Sequence, residues 1–127
     1  MTDMKKPRIL LVDDAEEIAS LCKRILEKNG YDVTLHSSSR EAFEAFRNAP
    51  EDFDIVVTDL DMPELTGIEM AAEMLKVKSD TPFVLSTGYS IDIPENIEEY
   101  GFRELLIKPF SPMDLVKTVN AILHNHE

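Results

Sequence analysis

Apolar residues fall along the chain in two alternating rhythms. The run Ile9-Leu10-Leu11-Val12 is continuous, and Ile18, Leu21, Cys22, Ile25 and Leu26 then recur at helical spacing, which predicts a buried strand followed by an amphipathic helix. Glu16 and Glu17 fall in the first turn of that helix, where its dipole favours negative charge, and Asn29-Gly30 closes it. Tyr31, Val33 and Leu35 alternate with polar residues, as in a half-buried edge strand. Ser38 and Glu41 form a capping pattern ahead of Ala42, Phe43, Ala45 and Phe46, and Pro50 ends that helix. The strand Ile55-Val56-Val57 follows. Gly67 then precedes a helix whose Ile68, Ala71, Ala72 and Leu75 share a face, and Thr81-Pro82 separates it from the strand Phe83-Val84-Leu85. Pro94 to Tyr100, rich in Glu and closed by Gly101, predicts a short helix before the strand Leu105-Leu106-Ile107. Ser111-Pro112-Met113-Asp114 caps a last helix carrying Leu115, Val116, Val119, Ile122 and Leu123.

Five strands alternating with five helices, three of the strands almost wholly apolar, imply an α/β fold with a doubly wound parallel sheet covered on both faces. At 127 residues the expectation is a single domain spanning 1–127, with a core from about 8 to 124. Right-handed crossovers place the C-terminal ends of all strands on one edge, where open α/β sheets bind their ligands.

Charge narrows the function classes. Thirteen Lys and Arg stand against 25 Asp and Glu, a net charge of −12 that repels phosphate backbones and argues against direct nucleic-acid binding. The longest apolar run, Ile9 to Val12, falls far short of the roughly 18 residues a membrane helix needs. Lys5, Lys6 and Arg8 resemble the start of a signal peptide, but the apolar stretch behind them stops at Asp13-Asp14. The single Cys22 fits a reduced thiol packed in a core, and the expected setting is cytoplasmic.

The candidate chemistry lies at the strand ends: Asp13 and Asp14 after the first strand, Thr58 and Asp59 after the third, Ser86 and Thr87 after the fourth, Lys108 after the fifth. Taken singly, each is an ordinary helix cap, turn residue or solvated lysine. Together they are not. Three carboxylates in one place require either protonation or a cation, and oxygen-only ligation favours Mg2+, Mn2+ or Ca2+ over zinc. Mg2+ combines one or two carboxylates with phosphate oxygens, so the neighbouring Lys and Thr point to phosphoryl transfer. His36, His124 and His126 read as solvated side chains, and Glu95, Glu98 and Glu99 as a solvated helix face.

Ile9-Leu10-Leu11-Val12-Asp13-Asp14, Val57-Thr58-Asp59-Leu60-Asp61-Met62-Pro63 with Gly67, Ser86-Thr87-Gly88 and Ile107-Lys108-Pro109-Phe110 together resemble a response regulator receiver domain, over essentially the whole chain. The resemblance implies the flavodoxin-like strand order 2-1-3-4-5. It implies that Asp59 takes a phosphoryl group from a phosphohistidine of a histidine kinase or histidine phosphotransfer protein. It also implies that Asp14, Asp59 and the backbone carbonyl of Asp61 ligate Mg2+, with Mn2+ as a substitute, while Asp13 acts through metal-bound water. Lys108 pairs with a phosphoryl oxygen, Thr87 turns its hydroxyl to the phosphoryl group, Gly88 leaves an open approach for the donor, and Lys108-Pro109 is cis. Phosphorylation then shifts Thr87 and the loop after the fourth strand, changing the surface a downstream protein target reads, on a monomer or a weak phosphorylation-dependent dimer. Because the last helix reaches the end of the chain, the output is expected to be intermolecular.

The sequence departs from the family pattern at Leu105, where many members carry Tyr or Phe, so an aromatic rotamer switch is not expected there. Tyr89 is a candidate to fill part of that space. Asp61 adds a carboxylate that either tightens cation binding or repels the phosphodonor. Three other readings compete. Asp59-Leu60-Asp61 resembles the nucleophile and acid/base pair of a haloacid-dehalogenase-like phosphatase, although the acidic pair Asp13-Asp14 precedes it instead of following. Ser86 to Ser90 suggests a flavin carrier, but two acids stand where its phosphate loop belongs. The third is a receiver-like docking module that is not phosphorylated.

Overall fold

The computed structural model describes residues 6–88, 93 and 95–124. Strand β1 (Arg8–Val12) leads to helix α1 (Glu16–Lys28), β2 (Asp32–His36) to α2 (Ser39–Asn48), and β3 (Ile55–Asp59) to α3 (Gly67–Val77). Strands β4 (Phe83–Thr87) and β5 (Phe102–Ile107) follow, with α4 (Pro112–His124) last. The five strands pair in parallel in the order β2-β1-β3-β4-β5, the doubly wound arrangement expected, with β2 on an edge.

Side chains alternate across each strand and so build two cores from one sheet. Ile9, Leu11, Ile55, Val57 and Val84 face α1 and α4, meeting Cys22, Leu26, Leu115, Val116 and Val119. Leu10, Val12, Val56, Phe83 and Leu85 face α2 and α3, meeting Ala42, Phe46, Met70, Ala71 and Met74. Because both faces are covered, β3 and β4 are buried along their whole length, their terminal Asp59 and Thr87 included. Cys22 is a buried free thiol, as expected. Among the described residues no helix is long and apolar enough to cross a membrane.

Four local expectations need correction. The described residues hold four α-helices, not five: between β4 and β5 there is a 3-10 turn, Ile97–Tyr100, ended by Gly101 at φ 91°. So short a segment cannot offset the cost of nucleating an α-helix. Pro94 lies outside the described residues. On α1, Ile18 and Leu21 are 61% and 43% exposed, because Ala19, Cys22 and Leu26 take the buried stripe. On α3, Ala72 is exposed and the larger Met70 and Met74 flank Ala71 instead. Strand β5 begins at Phe102, earlier than Leu105, since Phe102 packs on Phe83.

Candidate functional site

Parallel topology delivers the ends of β1, β3, β4 and β5 to one edge of the sheet. Asp13 continues β1, its N–H donating 3.1 Å to the carbonyl of His36 and its Oδ1 accepting 2.9 Å from the N–H of Ala15 ahead of α1. Asp59 ends β3 opposite Ser86 in the ladder, and Leu60 N–H donates 3.0 Å to the Ser86 carbonyl. Lys108 prolongs β5, its N–H donating 2.8 Å to the Thr87 carbonyl.

These anchors bring the predicted carboxylates together. Oxygens of Asp13, Asp14 and Asp59 lie within 4.8 Å of one another. Asp13 and Asp59 are buried, 8% and 7% exposed, and Asp14 is exposed. Lys108 Nζ stands 3.3 Å from Asp59 Oδ2 and 3.7 Å from Asp13 Oδ2. Three carboxylates against one ammonium leave two negative charges, which a divalent cation would match, and an all-oxygen donor set suits Mg2+. Burial first, and then the charge of Asp13, raise the pKa of Asp59; Lys108 opposes both.

The remaining predicted residues are placed as follows. Thr87 is fully buried at the end of β4. Gly88 is exposed, and a side chain there would meet nothing within 4 Å among the described residues. The Lys108–Pro109 bond is cis. Asp61 is exposed in the β3–α3 loop, and its carboxylate is not in the three-acid group. Leu105 is half-buried against the core on the α2–α3 side. Tyr89 lies outside the described residues.

Two features escaped the sequence. Beside the carboxylates is a largely apolar pocket of about 160 Å3, lined by Ala15, Ile18, Cys22, Phe110 and Leu115 together with Asp59 and Lys108. And Gly67, legible as the start of a helix and as part of the family pattern but with no reason attached, has a steric role: a Cβ there would lie 2.3 Å from the Asp59 carbonyl oxygen.

Residues 9–120 match the response regulator receiver domain family model. The chain belongs to that family. The receiver domain is 36% identical over 119 residues to the response regulator SaeR of Staphylococcus aureus (strain USA300), an alignment covering 91% of this chain and 50% of SaeR. It thus spans about half the length of the curated relatives it matches. Among solved structures it is similar to a receiver domain protein from Clostridium thermocellum, with a TM-score of 0.86 and 30% identity over 94% of this chain and 95% of that one. It is also similar to the response regulator TrrA from Thermotoga maritima in complex with Mg2+ and BeF, with a TM-score of 0.80 and 31% identity over 91% and 98% of the two chains. The chain is thus a response regulator receiver domain, the module of two-component signalling.

Proposed function

We propose that this receiver accepts one phosphoryl group on Asp59 from a phosphohistidine of a histidine kinase or a histidine phosphotransfer protein. The observation that carries this reading is a buried carboxylate at the end of β3 with Lys108 Nζ 3.3 Å away and two further carboxylates beside it. An Asp59 carboxylate oxygen attacks phosphorus, the bond from phosphorus to the imidazole nitrogen breaks, and the electron pair leaves with the imidazole. Asp14, Asp59 and the Asp61 carbonyl would hold Mg2+, with Asp13 acting through metal-bound water; bound there, Mg2+ neutralises charge on the transferring phosphoryl oxygens. Lys108 offers its ammonium to a phosphoryl oxygen and Thr87 its hydroxyl, while Gly88 keeps the donor's approach clear. The chain is a stoichiometric acceptor, not a multiple-turnover enzyme. With Leu105 in place of an aromatic, switching relies on Thr87 and the segment after β4.

The test is intact mass after incubation with acetyl phosphate, with and without Mg2+. One phosphoryl group per chain, appearing only with Mg2+, is expected. No adduct, or repeated turnover of a small phosphate ester, would overturn the reading.

The apolar pocket supports a protein donor. Ile18 exposes apolar surface on α1 at the pocket that Asp59 and Phe110 also line, Leu21 exposes more on the same helix, and surface of this kind suits a partner helix with an apolar face. Ile18→Ala is therefore expected to slow transfer from a phosphohistidine protein about tenfold, an apolar anchor being worth roughly 1–2 kcal/mol. Uptake from acetyl phosphate, which needs no such surface, should keep the wild-type rate; equal slowing with both donors would place the defect in the site itself.

A further inference from the structure

The loop from β3 to α3 is fastened at both ends. At one end Leu60 N–H bonds to Ser86 and the Leu60 carbonyl accepts from Gly67 N–H at 2.9 Å. At the other, it is tied to the start of α2. Ser38 Oγ donates 2.7 Å to Glu64 Oε1, which also accepts from Arg40 N–H at 3.4 Å. Leu65 N–H donates 2.9 Å to Ser39 Oγ, and Ser39 is fully buried. Between these ends, among the described residues, no backbone–backbone hydrogen bond holds residues 61–64. The stretch just before α2 also reaches the acidic pair, since Asp13 N–H bonds to the His36 carbonyl at 3.1 Å. Residues 36–41 therefore join the two loops that carry the carboxylates of Asp13 and Asp14 and the carbonyl of Asp61.

We propose that Ser38, Ser39 and Glu64 are positioning residues for the cation, holding the β3–α3 loop so that the Asp61 carbonyl is aimed before Mg2+ arrives. This inference rests on the cation site of the preceding subsection. A backbone carbonyl is a ligand only where its peptide is held, and a loop fixed beforehand spares the cation the entropy of ordering it. None of the three side chains is among the residues assigned to the site, so loosening the loop should weaken binding without dulling Asp59.

The experiment is Mg2+ titration by amide chemical shifts, alongside acetyl phosphate uptake at graded Mg2+, on wild type, Asp14→Asn, Ser39→Ala, Glu64→Ala and Glu64→Gln. Ser39→Ala and Glu64→Ala should each weaken Mg2+ binding roughly three- to tenfold, the span of one net hydrogen bond. Uptake at saturating Mg2+ should stay within about twofold of wild type, a split that separates binding from chemistry. Glu64→Gln keeps an acceptor oxygen for Ser38 and should bind as wild type does. Wild-type affinity in both alanine variants, with binding still sensitive to Asp14→Asn, would overturn the positioning role alone. Wild-type protein with no binding sensitive to Asp14→Asn would overturn the cation site and this role with it.

Discussion

Asp59→Asn takes up no phosphoryl group from any donor, and in metal-free buffer near neutral pH it melts above the wild-type protein; saturating Mg2+ then reverses that order. The first result follows from losing the nucleophile. The second follows from burial. Asp59 is 7% exposed, and its pKa is raised by burial and by Asp13 more than Lys108 lowers it. A carboxyl group with a higher pKa in the folded chain than in the unfolded one stabilises the fold while protonated, and that contribution is lost as pH rises through the raised value. At neutral pH the ionised side chain is a standing cost, which a neutral amide of the same shape removes. The advantage of Asn should shrink as pH falls toward the ordinary aspartate value of about 4. Mg2+ acts in the opposite sense. At a hundred times its dissociation constant it adds about 2.7 kcal/mol to a fold that binds it, on the order of 10 °C for a chain of this size. The variant, one ligand short, gains less. A metal-free variant that melts below wild type at neutral pH would show that the buried charge is no burden, and equal gains with Mg2+ would remove Asp59 from the cation site.

The fold was legible where local pattern and tertiary demand agree. A parallel sheet covered on both faces needs strands that are apolar on both sides, so Ile9 to Val12, Ile55 to Val57 and Phe83 to Leu85 declare themselves without alternation. The failures are cases where two signals compete. Ile18 and Leu21 have helical spacing, yet α1 buries only a narrow stripe, and periodicity cannot distinguish a wide apolar face from a narrow one with a sticky flank. The segment before Gly101 has helix-forming glutamates, but too few residues to use them.

The site was legible for a topological reason. In a parallel sheet the C-terminal ends of strands meet on one edge whatever their separation along the chain, so Asp13, Asp59 and Lys108 could be gathered by reading strand ends alone. No such rule reaches the tie between Ser39 and Leu65 or between Ser38 and Glu64, which bridge 26 residues and depend on where a loop lies against a helix start. Ser38 reads as a cap for Glu41, and it is one, accepting from Glu41 N–H at 3.2 Å. Its second bond has no sequence signature.

Gly67→Ala is expected to destabilise the domain by about 2–3 kcal/mol, the cost of forcing extra volume into a packed interior, and to slow phosphoryl uptake severely. Two effects oppose each other at this position. Alanine is the better helix former by roughly 1 kcal/mol in a helix interior, less at the first helical residue, and Gly67 does not occupy the left-handed region, so its backbone makes no demand for glycine. Contact decides against alanine. Its Cβ would lie 2.3 Å from the Asp59 carbonyl oxygen and 3.1 Å from Thr58 Cγ2, and the nearer of these is backbone in a central strand, which cannot swing aside as a side chain could. Either α3 withdraws, breaking the 2.9 Å bond from Gly67 N–H to the Leu60 carbonyl, or the end of β3 gives way. Both movements displace Asp59 and the loop that carries Asp61. Gly88→Ala is the matched control: its added methyl meets nothing within 4 Å among the described residues, and stability should stay within about 0.5 kcal/mol of wild type. Urea denaturation of the two variants reads the difference directly. Equal midpoints would mean that α3 starts on a yielding contact and that the Asp59 backbone is not held by it.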